Sequence, residues 1–214
     1  MTVITKKELD AMDQRYRVNF INSLSGFKSV NLVGTVCAKG HSNLAPFSSV
    51  VHLGADPALV GMVSRPDSVL RGSLKNIIDT GWYSLNHVSE PMLDQAHQCS
   101  ARYGENESEF AATGLKAVYS ELCTAPMVAE SQLSMLVEYK EHHRLDINNT
   151  VFVIGQIREV HLPKQAIQAS GLVDLDSLGS LVCTGLDTYH STQRIKRLAY
   201  AKPDKPLQEV DPKA

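Results

Sequence analysis

The stretch Asn43-Leu-Ala-Pro-Phe-Ser-Ser-Val-Val-His-Leu-Gly54 runs on into Ala58-Leu-Val-Gly-Met-Val-Ser-Arg-Pro66 and then Arg71-Gly-Ser-Leu-Lys-Asn76. Small residues lead to a short apolar strand, and the strand leads to a helix start preceded by arginine. Small side chains let a backbone approach a planar ring closely, and proline withdraws one ladder donor. Arg71 lies two residues before Ser73, which the pattern makes the N-cap of a helix through Asp79. A helix start with a hydroxyl and a guanidinium is an anion seat. The stretch therefore reads as a pocket for a flat, phosphorylated ligand, with Arg65 and Lys75 nearby.

Strand patterns surround it. Val30–Val36, Phe47–Leu53, Ala58–Val63, Trp82–Val88 and Thr150–Val160 are β-rich and bounded by turn residues. Residues 127–140 alternate apolar and polar, with only Leu136 out of phase, and read as one long half-buried strand. The helix from Ser73 is expected to bury Leu74, Ile77 and Ile78, and Gly81 to end it. A second helix is expected from Ser89-Glu-Pro91 to about Tyr103. Ser108 and Gly114 bound a short third one, and 163–181 reads as helical in pieces. Many strands with few long helices suggest a closed antiparallel barrel with helical insertions. No G-x-G-x-x-G or P-loop lysine motif is present.

The 214 residues suit one large domain, expected over 18–202, with an N-terminal arm (1–17) and a loose tail (203–214). With 43% hydrophobic residues, 21% charged residues and a net charge of −2, the chain has no basic stripe for nucleic acid. No apolar run approaches the roughly 20 residues of a membrane span. The charged N-terminus lacks a signal-peptide apolar region, so the cytoplasm is expected. Cys37, Cys99, Cys123 and Cys183 form no C-x-x-C pair, so buried thiols are expected rather than a zinc site. His142 and His143, as neighbours on a strand, would face opposite sides and could not chelate one metal.

A flavin ring matches the uncharged groups of Ala45-Pro46-Phe47-Ser48-Ser49. It offers O4, N3–H, O2 and N5 along its edges, to be met by backbone groups and serine hydroxyls. The same segment is often no more than a polar strand edge, and Arg71 and Lys75 no more than solvated side chains.

These residues resemble the flavin reductase-like, FMN-binding split-barrel family. The similarity runs through Gly34-Thr35, Asn43–Val50, Ser64-Arg-Pro66, Arg71–Ile77, Tyr83–His87, Ser108–Phe110, Thr150–Gly155 and Gly185–Tyr189, roughly 18–202 in all. It implies a mainly β chain with helical insertions, forming a split antiparallel β-barrel that binds FMN, usually as a homodimer. Ala45, Pro46, Phe47, Ser48, Ser49 and Val50 would line the ring. Arg71 and Ser73 would hold the phosphate, with Arg65 and Asn76 beside them. Asn86 and His87 would border the pocket, and Tyr189 and His190 would close over it. The implied activity is an NAD(P)H-dependent flavin oxidoreductase, with NADH or NADPH as co-substrate passing hydride to flavin N5. No protein side chain is needed as a catalytic acid, base or nucleophile. Many reductases of this family carry Gly-Asp-His before the strand matching Thr150–Gly155. This chain has Asn148-Asn149 there. The departure keeps open an FMN electron carrier reduced by a partner protein, as in flavoredoxins.

Overall fold

The computed structural model describes residues 1–66, 72–104 and 107–211. Arg71, the expected phosphate ligand, lies outside the described residues, as do Glu105, Asn106 and the last three positions of the tail.

In chain order the elements are α1 (Lys6–Ala11), α2 (Gln14–Leu24), β1 (Lys28–Ser29), β2 (Asn31–Val36), β3 (Ser42–Phe47), β4 (Val50–Ala55) and β5 (Ala58–Ser64). Then come α3 (Gly72–Thr80), β6 (Trp82–His87), α4 (Leu93–Gln98), α5 (Glu109–Thr113), β7 (Ala117–Val118) and β8 (Met127–Val128). The last are β9 (Ser134–Arg144), β10 (Val151–His161), β11 (Val182–Thr184) and β12 (Thr188–His190). Seven strands form one sheet in the order β3-β2-β6-β9-β10-β5-β4, with every pairing antiparallel. Its outermost strands, β3 and β4, are consecutive in the chain and joined only by Ser48 and Ser49. Three Cα steps span at most about 11 Å. The sheet therefore curls until its two ends meet at one corner. Among the described residues the ladder ends at β3 and at β4.

The curl gives the sheet an inner and an outer face. Residues directly opposite one another across a ladder share a face. Val33, Leu85, Val137, Val153, Val60 and Met62 pack inside, and Leu74 and Ile77 of α3 close over them. On the outside, Leu32 and Leu44 pack with Val88, Met92 and Phe110 under α4 and α5. Leu136 packs outside with Ala125 and Met127. That is why Leu136 broke the alternation: the middle of β9 is buried on both faces.

The expected strand over 127–140 is in fact two strands. Its first part turns after Val128, and Ser131 Oγ donates to the carbonyls of His87 and Leu133 at 2.9 Å each. Ser73 is not an N-cap, because α3 begins at Gly72 and Ser73 lies inside the first turn. Ile78 is 42% exposed, since the inner core takes only the stripe at Leu74 and Ile77. The helix expected up to Tyr103 is a 3-10 turn at Glu90–Met92 followed by α4, which stops at Gln98. Between 163 and 181 only Lys164–Ala166 is helical. Helix α2 runs across the boundary expected at residue 17, capped by Asp13. The tail folds back on itself: Ala199 N donates to Gln208 O and Val210 N to Arg197 O. Gly81 (φ 76°) and Gly114 (φ 78°) end α3 and α5 as expected.

Among the described residues, no helix is long and apolar enough to cross a membrane.

Candidate functional site

The organising stretch of the sequence becomes the corner of the curled sheet. β3 ends at Phe47, Ser48 and Ser49 cross over, and Val50 starts β4 opposite Met62. Ser49 fastens the corner. Its hydroxyl donates to Val63 O at 2.8 Å and accepts from Val63 N at 3.2 Å, replacing one rung of a ladder. Its backbone groups and all of Ser48 are not engaged by those two bonds. Ser64, Arg65 and Pro66 leave the end of β5 beside it.

Helix α3 starts over the neighbouring part of the inner face. Asn43 Nδ2 donates to Ser73 Oγ at 3.0 Å, and Asn76 Nδ2 donates to Thr35 Oγ1 at 3.0 Å. A Cβ on Gly72 would stand 3.0 Å from Asn43 Oδ1, so glycine lets the helix start sit this close to β3. The first amides of this nine-residue helix have no partner inside it and carry its positive dipole end.

Register sorts the remaining candidates. Ala45 and Phe47 lie opposite Val33 and Asn31, on the inner face. Pro46 lies opposite Leu32 and belongs to the outer face, as does Asn86. Asn86 is fully buried and saturated. Its amide donates to Leu32 O (2.9 Å) and Ser84 Oγ (2.8 Å), and its carbonyl accepts from Val128 N (3.0 Å) and Ser134 Oγ (2.8 Å). It holds β2, β6, β8 and β9 together and has no group left for a ligand.

His87 is on the inner face, in line with Asn31 and Phe47 across β6, β2 and β3. Its Nδ1 lies 3.0 Å from Ser180 Oγ, and burial pushes its pKa down to about 4. The Oδ1 of Asn31, in the same row, is buried with no protein partner. Because His87 is held neutral when folded, the unfolded chain binds more protons between about pH 6.5 and 4. Stability should therefore fall as pH drops through that window and level off below about 4. The expected loss is on the order of 3 kcal/mol. Urea melts at pH 7.5 and 4.5 check it: His87→Gln should show a correspondingly smaller difference between the two.

Tyr189 is elsewhere. Its hydroxyl lies 2.8 Å from His97 Nδ1, and the two rings meet edge to face. With Leu93, Asp94 and Asp187 they line an open cleft of about 370 Å³. His190 packs edge-on against Phe27 and reaches Thr184 Oγ1 at 3.1 Å. No residue of the corner lines that cleft. The Asn148-Asn149 pair forms the β9–β10 turn, with Asn149 at φ 58° and Asn148 Oδ1 accepting from Thr150 N and Oγ1. His142 and His143 stand on opposite faces of β9, opposite Val153 and Phe152. Among the described residues no group of three His, Cys, Asp or Glu is placed to hold a metal ion.

Asn43 and Asn31 were not singled out as site residues from the sequence. Asn43 opens the quoted stretch, and a polar residue there could have been read as a helix anchor. Asn31 gave no signal, because all of Asn31–Val36 is buried and the strand shows no alternation.

Residues 24–178 match the family model of the flavin reductase like domain. The chain belongs to the flavin reductase-like family. This flavin reductase-like chain is 46% identical to a candidate flavin reductase with a split barrel domain from Shewanella frigidimarina NCIMB 400. The two superpose with a TM-score of 0.91 over 94% of this chain and 100% of the other. Component B of a nitrilotriacetate monooxygenase from Bacillus cereus shares the fold, with a TM-score of 0.80 at 19% identity over 91% of this chain and 96% of its own. A flavoredoxin from Desulfovibrio vulgaris (Miyazaki F) does so with a TM-score of 0.68 at 20% identity over 84% and 92%. An uncharacterised protein of Aquifex aeolicus (strain VF5) is 28% identical over 109 residues, which are 50% of this chain and 56% of that protein.

Proposed function

We propose that this flavin reductase-like chain is an FMN-binding split-barrel oxidoreductase that oxidises NADH or NADPH. The observation that carries the proposal is the start of α3, pinned to Asn43 at the beginning of β3, the strand that runs on into the Ser48–Ser49 corner. There helix amides with no partner inside the helix, and the Ser73 hydroxyl, stand next to β3. The residues fit the group. Ser73 and the first-turn amides, with Asn76 in the next turn, suit a phosphate dianion, and Arg65 is assigned to them from the resemblance. Arg71 joins them on the resemblance alone. Ala45 and Phe47 offer an inner wall, and Ser48, Ser49 and Val50 offer uncharged backbone groups for the ring edge. His87 and Asn31 border that row. Asn86 and Tyr189 drop out of the proposed site, the first because it is saturated and the second because it lines the cleft at His97.

Bound FMN supplies the hydride acceptor, at ring N5. The chain supplies position and electrostatics. Asn43 holds Ser73 Oγ in place, and Asn76 ties the same helix turn to Thr35. Ser49, locked to Val63, fixes the path of the ring-facing backbone. His87 is neutral at pH 7 and places no positive charge near the row it occupies.

A second copy of the chain is the proposed partner. Val51, Leu53 and Val63 are exposed on the outer face of β4 and β5, beside Phe152 and Ile154 of β10. A contiguous apolar face of this kind is typical of a subunit interface. All four cysteines are free thiols, which fits the reducing cytoplasm.

The neutral Asn148-Asn149 turn favours a second reading, an FMN electron carrier reduced by a partner protein. The visible spectrum of the FMN-loaded protein, followed anaerobically, separates the two. Bleaching by NADH or NADPH on the turnover timescale is expected. Flavin that resists both nucleotides but bleaches with dithionite would establish the carrier. A colourless protein that ignores added FMN would overturn both.

A further inference from the structure

Among the described residues β3 is the last strand of its sheet, so every second amide along it points away from β2 with no ladder partner. Leu44 N is one of these. Such an edge amide is ordinarily left to water or to another strand. Here it donates to Glu109 Oε2 at 2.9 Å, a carboxylate 65 residues further along the chain. One residue before Glu109, Ser108 Oγ lies 2.9 Å from Ser42 Oγ, and one hydroxyl donates to the other. The residue after it, Phe110, is buried in the outer core together with Leu44.

Ser108 and Glu109 open α5. At such a position a serine ordinarily caps its own helix and an acid ordinarily faces the helix dipole. Ser108 makes no cap bond in α5. Both side chains reach to β3 instead. Ser42 and Leu44 are the chain neighbours of Asn43, so the two contacts fall on either side of it. Asn43 is the residue that donates to Ser73 Oγ, and its Oδ1 stands so near Gly72 that a Cβ there would be 3.0 Å away. The start of α5 and the start of α3 thus meet the same short piece of β3, one through Ser42 and Leu44, the other through Asn43.

We propose that Glu109, with Ser108 beside it, is a positioning residue for the anion seat at the start of α3, fixing Asn43 and through it Ser73. This rests on the assignment of the FMN phosphate to that seat. Glu109 acts on the phosphate only through Asn43 and Ser73. A seat made of hydrogen-bond donors loses affinity when those donors are free to shift, because hydrogen bonds weaken steeply with poor alignment. The flavin ring is assigned to residues 45–50, beyond the bracketed piece, so the effect falls on the phosphate.

Fluorescence titrations with FMN and with riboflavin, which has the ring but no phosphate, read that effect. Glu109→Ala should weaken FMN binding about fivefold, as expected for one slackened hydrogen bond, and leave the Kd for riboflavin within about twofold. Glu109→Asp keeps the charge but is too short to reach Leu44 N, and should match Glu109→Ala. Glu109→Gln keeps an acceptor oxygen at the same reach and should recover most of the loss. In an Asn43→Ala background, Glu109→Ala should add little, because the path to Ser73 is already cut. Equal weakening of FMN and riboflavin would make Glu109 a general support of the fold and overturn the proposal. So would Glu109→Ala and Glu109→Asp variants that keep the wild-type preference for FMN over riboflavin. A Glu109→Gln variant as weak as Glu109→Ala, beside a Glu109→Asp variant as tight as wild type, would mean that charge acts and not the bond, and overturns it too. A wild-type protein that binds riboflavin as tightly as FMN would instead remove the phosphate seat itself, and this inference with it.

Discussion

Ser73→Asp is expected to raise the Kd for FMN about a hundredfold while leaving the protein folded. The carboxylate would sit in the first turn of α3, where the helix dipole favours an acid by about 0.3–1 kcal/mol. Its oxygen can accept the Asn43 amide bond that Ser73 Oγ accepts now. Ser73 is largely buried, so part of the helix gain offsets desolvation, and net stability should move by no more than about 1 kcal/mol. Binding should respond differently. Like charges about 5 Å apart at an effective dielectric of about 20 repel by about 3 kcal/mol. That is about two decades in Kd. Ser73→Ala removes only one uncharged hydrogen bond, about 1 kcal/mol, and should weaken binding several-fold. Flavin fluorescence titration of both variants checks the order. Wild-type affinity in Ser73→Asp would mean that the phosphate lies elsewhere.

Gly34→Ala carries the largest expected effect on stability. A Cβ there would overlap the carbonyl oxygen of Pro126 and stand 2.5 Å from Ser84 Oγ. Neither is the free end of a flexible chain. Ser84 Oγ donates to that same Pro126 oxygen at 2.5 Å and accepts from Asn86. Asn86 in turn holds Val128 and Ser134. Relieving the overlap therefore pulls on a buried network whose groups cannot reach water. The cost should exceed about 4 kcal/mol. For a chain of this size, that lowers Tm by roughly 10 °C or more. Gly40→Ala is the control: its φ is 86° but no atom lies within 4 Å, so only backbone strain of about 1 kcal/mol is expected. Thermal melts of the two variants should differ clearly.

The sequence was readable wherever one local rule governed. Gly81 and Gly114 stop helices because the left-handed backbone they adopt suits glycine. The stretch Ala58–Val63 reads as a strand because it is apolar throughout, and β5 is paired on both sides. Misreadings came where tertiary packing overrode local pattern. Met127 to Leu133 imitated a strand by chance alternation, while Leu136 looked wrong only because both faces of β9 are covered. Asn86 looked like a ligand residue because a buried, saturated amide and a binding amide are the same letter. Of the site, Ser73 and Asn76 could be foreseen as the start of a helix. The two bonds from Asn43 and to Thr35 that set the position of that helix join residues about 30 and 41 apart in the chain, and no spacing rule reaches that far.

The corner at Ser48 and Ser49 also bears on how the chain assembles during synthesis. β2 with β3, and β4 with β5, are local hairpins that can form as soon as each pair has left the ribosome. Yet they sit at opposite ends of the strand order and share no ladder. The joins between them run through β6, β9 and β10, and β9 begins only at Ser134. Both hairpins must therefore wait, tethered by two serines, with their apolar faces open until the last third of the domain arrives. Such non-local closure is slow, and the waiting intermediate is prone to aggregate. The dipeptide proposed to face the flavin ring takes its final shape only when that closure is complete, so the ring-facing wall is among the last parts of the protein to form.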